Sequence, residues 1–147
     1  MTRRLALWLL LLVATAAVVP AQGELRLSGL GGGELTEAEL ERGSHIVVFW
    51  TTWSPRGRDI VERVNGLVDG FGNRVVTVNF QEDAADVRSF LAGKSLRASV
   101  YLDTSGALSK KYHVNSAPWL VLLEDGRVVY SENLPADADA VIRRTLG

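Results

Sequence analysis

The chain has 147 residues, 47% of them apolar, with 16 basic and 17 acidic residues and no cysteine. This near-neutral charge excludes the basic footprint of a nucleic-acid binder. The lack of thiols excludes disulfides, thiolate nucleophiles and lipidation at a cysteine.

At the N-terminus, Arg3 and Arg4 precede an apolar run from Leu5 to Val19 and then Val19-Pro20-Ala21. A charged start, an apolar stretch of about 7–15 residues and small residues at a cleavage point make a secretion signal, whereas a membrane span needs about 20 apolar residues. Residues 1–21 therefore read as a signal peptide cut after Ala21, sending the protein to the periplasm or the exterior. The alternative is an uncleaved anchor facing the periplasm, and membrane contact is expected through this segment alone. Two of the basic residues and none of the acids lie in it, so the remaining 126 residues carry a net charge of −3. That length fits one domain.

Residues 22–35 read as a lead-in. Only Glu24 to Leu27 alternates as an edge strand would, and Gly31-Gly32-Gly33 is a flexible turn rather than a phosphate loop, because no strand feeds it and no Lys-Ser or Lys-Thr follows. The domain proper is expected over 36–147. Thr36 and Glu39 have capping-box spacing and start a short helix from Glu37 to about Arg42. The run Ile46-Val47-Val48-Phe49-Trp50 is the central strand, buried on both faces. Ser54 suits an N-cap and Pro55 the first helical position. Apolar residues at 60, 61, 64, 67, 68 and 71 then mark an amphipathic helix ending at Gly72-Asn73. A strand over 75–80 follows, then a helix over 84–91, a strand over 99–102 and a short helix over 107–112. Strand, helix and strand in that order imply a crossover and a partly parallel sheet. Leu120–Leu123 and Val128–Tyr130, joined through Asp125-Gly126, form a hairpin. A helix over 137–146, acidic at its start and basic at its end, closes the chain.

With the elements in place, the string Val47 to Arg58 resembles the thioredoxin-like proteins of the TlpA/ResA type, in which an apolar strand, Phe-Trp and Ala-Thr lead to Trp-Cys-Pro-Pro-Cys and a basic residue. Leu102-Asp103-Thr104-Ser105-Gly106 and Tyr112-His113-Val114-Asn115-Ser116-Ala117-Pro118 are similar to the family's Asp…Gly helix start and its approach to the cis-proline strand. The resemblance spans about Thr36 to Leu146. It implies an α/β thioredoxin-like fold, a central mixed sheet flanked by helices, with the extra strand-helix insertion of TlpA-type proteins. It also locates the departures. Ser54 stands where the family has its nucleophilic cysteine, Gly57 where it has the resolving one, Val48 where a polar relay residue is usual, and Trp119 where Thr follows the proline.

A serine at a helix start does not become a nucleophile there. Dipole effects reach about 2 kcal/mol, enough to bring a thiol toward neutrality and far too little for a hydroxyl. His45 and His113 are far from Ser54 in sequence, no cluster has metal-ligand spacing, and Glu82-Asp83 and Glu124-Asp125 read as solvated turn charges. No catalytic residue, metal or cofactor is expected. The expected function is a non-catalytic peptide- or protein-binding module of a thiol-redox or protein-maturation pathway. Its surface is Trp53, Ser54, Pro55, Arg56, Ala117, Pro118 and Trp119, on which an extended peptide or protein partner pairs beside Pro118. Trp53 is expected to be exposed, and Trp119 suits either the groove or the core. The alternatives are a partner-assisted thiol–disulfide oxidoreductase component and a Ser54-based enzyme.

Overall fold

The structure, a computed structural model, describes residues 23–147. The expected signal peptide lies outside the described residues.

Seven strands and five helices follow one another as β1 (Arg26–Gly29), β2 (Glu34–Thr36), α1 (Glu37–Leu40), β3 (Ser44–Trp50), α2 (Ile60–Phe71), β4 (Val75–Phe80), α3 (Ala84–Leu91), β5 (Ser99–Asp103), α4 (Ala107–Lys111), β6 (Trp119–Glu124), β7 (Arg127–Asn133) and α5 (Ala138–Leu146). One sheet in the order β2-β1-β5-β4-β3-β6-β7 contains them all. β3, β4 and β5 are parallel, as the crossovers require, and the strands on either side are antiparallel. The fold is the expected mixed sheet between helices. The insertion between β4 and α4 is a helix followed by a strand, α3 and β5.

β3 lies near the middle of the sheet because both of its faces are apolar. Ile46, Val48 and Trp50 pack with Ile60, Val64 and Leu67 of α2 and with Ile142 of α5. Val47 and Phe49 face the other way, toward Leu40, Leu108 and Tyr112. Phe49 meets the rings of Phe80 and Tyr112 edge-on, each with centroids 6.4 Å away.

Residues 23–35, the described part of the expected lead-in, carry β1 and most of β2 in the sheet. β1 and β2 pair with each other, β1 pairs with β5, and Leu27 and Leu35 are buried. The turn between them needs glycine at Gly29, where a Cβ would sit 2.1 Å from the Gly32 carbonyl oxygen. One expectation is corrected here: α2 starts at Ile60 rather than at Pro55, and Pro55–Gly57 forms a single 3-10 turn. The capping box, by contrast, closes as expected: Thr36 Oγ1 accepts from Glu39 N–H at 3.3 Å and Glu39 accepts from Thr36 N–H at 2.8 Å.

Candidate functional site

Two chain segments meet at the C-terminal end of β3. One runs from Trp50 through Thr51, Thr52 and Trp53 into the 3-10 turn, and the other is the loop before β6. The Ala117–Pro118 peptide bond is cis. Ser54 joins the two segments, because its Oγ donates to the Ala117 carbonyl at 2.7 Å. The hydroxyl is therefore not the N-cap acceptor that its position suggests, and the 3-10 turn has no side-chain cap. α2 begins six residues later, so Ser54 does not cap it, and its hydroxyl donates to the Ala117 carbonyl instead.

The structure divides the seven expected binding residues. Trp53, Pro55 and Arg56 are exposed, whereas Ser54, Ala117, Pro118 and Trp119 are buried. Trp53 is 69% exposed, as expected. Trp119 belongs to the core instead of the groove: its ring packs on the side of the sheet that holds Phe49 and Tyr112, and its Nε1 donates to Ser131 Oγ at 2.9 Å. An indole beside a hydroxyl on the neighbouring strand, whose oxygen still has a lone pair to accept with, can bury its ring and satisfy its N–H together.

The Pro118 side is fixed from β7. Leu134 N–H donates to the Pro118 carbonyl at 3.0 Å, Ser116 Oγ donates to Asn133 Oδ1 at 2.5 Å, and Ser131 Oγ donates to the Tyr112 carbonyl at 3.3 Å. Both carbonyls that flank the proline ring, Ala117 and Pro118, thus accept hydrogen bonds from within the chain.

Glu82 fixes the Trp53 side and is not the solvated turn charge expected from the sequence. Its carboxylate accepts from Thr52 N–H at 2.8 Å, from Thr52 Oγ1 at 2.5 Å and from Asn79 Nδ2 at 2.7 Å. The signal for it in the sequence is faint, an acid three residues beyond a polar residue at the end of a buried strand. Three buried polar atoms have no hydrogen-bond partner among the described residues: Trp50 Nε1, Thr51 Oγ1 and Asn79 Oδ1. Trp50 and Asn79 are register partners on adjacent strands. Val48, also buried, contributes no polar group.

Chemically the site is poor in reactive groups. Ser54 Oγ donates to a carbonyl, and no base contacts it. His45 Nε2 lies 2.7 Å from the Arg42 carbonyl at the opposite end of β3. Among the described residues, no group of three or more His, Asp or Glu could hold a metal.

A thioredoxin fold whose dithiol positions hold Ser54 and Gly57 defines a redox-family scaffold without its thiols. The chain belongs to the Redoxin family, whose model matches residues 15–145. It is 28% identical over 101 residues to the sporulation thiol-disulfide oxidoreductase A of Bacillus subtilis, covering 64% of this chain and 61% of that protein. In fold it is similar to the pneumococcal exposed lipoprotein thioredoxin Etrx1 of Streptococcus pneumoniae (TM-score 0.72, 20% identity, 84% of this chain and 98% of that one). It is also similar to a putative thiol:disulfide interchange protein DsbE of Chlorobium tepidum (TM-score 0.69, 22% identity, 85% and 94%). These agree with the TlpA/ResA-type resemblance. Without cysteine the chain cannot itself exchange disulfides.

Proposed function

We propose that this protein is a non-catalytic protein-binding member of an exported thiol-redox or protein-maturation pathway, and that it docks its partner on Trp53, Pro55 and Arg56. The observation that carries the reading is Trp53. Trp53 is 69% exposed at the rim of the site, and among the described residues Val128 is the one other exposed large apolar residue. Tryptophan and arginine are also the side chains that dominate binding surfaces. The partner engages these side chains rather than pairing its main chain at Pro118, since Ala117 and Pro118 are buried and their carbonyls already accept from Ser54 and Leu134. Export is supported by the Arg3-Arg4 and Leu5–Val19 pattern and by a fold relative described as an exposed lipoprotein. No helix of the described residues is long and apolar enough to cross a membrane.

The test is capture from an exported-protein fraction with the wild-type chain and with Trp53→Ala. A partner whose capture falls by about tenfold or more with the substitution supports the surface, since truncating a central aromatic commonly costs about 2 kcal/mol or more. A partner held equally by both overturns it.

A further inference from the structure

We propose that Glu82 is the positioning residue of this docking surface: its carboxylate fixes the Thr51–Ser54 segment and so presents Trp53 in one place. The inference rests on the reading of Trp53 as the docking side chain.

Three hydrogen bonds converge on the Glu82 carboxylate. Oε1 takes the Thr52 hydroxyl, while Oε2 takes both the Thr52 N–H and the Asn79 amide. A glutamine could keep the Oε2 pair with its carbonyl and turn its NH2 to the Thr52 hydroxyl, which accepts as well as donates, but every one of these bonds would lose the strengthening that the charge gives. The backbone is shaped for the contact. Gln81 turns at φ 60°, in the left-handed region seldom used by residues other than glycine, and its N–H donates to the Asp103 carbonyl at 3.0 Å. This abrupt turn after β4 returns Glu82 to the end of β3. The segment it holds has little else to hold it. Thr51 Oγ1 is unpartnered among the described residues, the Trp53 ring is in solvent, and the next side-chain anchor is the Ser54 bond to Ala117. An aromatic whose segment is already ordered before the partner arrives loses less on binding. Glu82 and Ser54 provide that on either side of Trp53.

The experiment is amide hydrogen exchange on the full chain, read by segment, for wild type, Glu82→Gln and Thr52→Val. Thr52→Val keeps the backbone bond and removes only the hydroxyl. Exchange over residues 51–54 should rise about tenfold or more in Glu82→Gln and by less in Thr52→Val, with β6 amides unchanged. Thr52→Ser, which restores the hydroxyl, should match wild type. With the full chain labelled with 5-fluorotryptophan, the fluorine resonance assigned to Trp53 by Trp53→Phe should narrow in Glu82→Gln, a change that a purely global loss of stability would not confine to one ring. Unchanged exchange over 51–54, or an equal rise in β6, overturns the proposal. So does a captured partner that Glu82→Gln binds as tightly as wild type. If the wild-type chain captures nothing, the docking reading fails, and the exchange result separately decides whether Glu82 fixes the segment.

Discussion

Ser54 and Gly57 show how little separates this chain from a dithiol. A Cβ built on Gly57 lies 3.8 Å from Ser54 Cβ, with the Thr51 carbonyl oxygen, also at 3.8 Å, in ordinary contact. Disulfides have their Cβ atoms about 3.8 Å apart, so the backbone needs no rearrangement to carry one. The double variant Ser54→Cys, Gly57→Cys should therefore be oxidised by glutathione disulfide to an internal disulfide. Two thiols would lose their hydrogens to form one S–S bond, and two glutathione thiols would be released. Mass spectrometry and thiol titration read this, and cysteines that stay reduced under excess oxidant would show that the backbone has moved away from redox geometry. Thr51 offers a second test. Its side chain is 1% exposed and its hydroxyl finds no partner among the described residues. Thr51→Val has nearly the same shape without the orphaned group and should raise stability by about 1 kcal/mol, visible as a higher denaturant midpoint. A lower midpoint would mean that the hydroxyl has a use that the fold alone does not reveal.

At the level of elements, what could be read from the sequence is what local physics determines. β4 and α3 fall on the expected residues, α2 has its expected apolar face, and the Asp125-Gly126 turn joins β6 to β7. Each is set by periodicity or turn chemistry within a dozen residues. Asp103 was legible only as part of a family-like string, yet its role is physical. It is fully buried at the end of β5 and accepts from Leu108 N–H, Ser109 N–H and Ser109 Oγ, which satisfies the start of α4. What the sequence hid are partners distant along the chain. The acceptor for Ser54 is 63 residues away and Thr52, which donates twice to Glu82, is 30 away, so neither of these contacts has a local signature. Trp119 illustrates the same limit. Its fate depended on Ser131, which the β6–β7 register places within reach of its indole N–H.

At the scale of the whole molecule, the question is where the folding unit begins. Homology to the family string suggests Thr36, but the β1–β2 hairpin is built into the sheet and into α1. Glu24 Oε1 accepts from Ala38 N–H at 3.0 Å, and Glu37 Oε2 accepts from Leu25 N–H at 3.3 Å. Lys111 of α4, bonded to Glu37, is the main reason that carboxyl is held below the usual carboxylate range, and the Leu25 N–H is the next. A carboxyl lowered in the folded state stabilises at neutral pH, and that contribution is lost as acid protonates it. Here it is small, because the pair is solvent-screened. The larger contribution of the hairpin is apolar. Burying Leu27 and Leu35 is worth about 2 kcal/mol each, and removing the hairpin also bares the edge of β5. A chain over 36–147 should thus be less stable than one over 23–147 and should aggregate more readily. Paired denaturant titrations decide it. Equal midpoints would make the hairpin an appendage on a sheet that is complete without it, whereas the expected drop makes residues 26–36 part of the platform on which β4, Glu82 and the Trp53 segment are held.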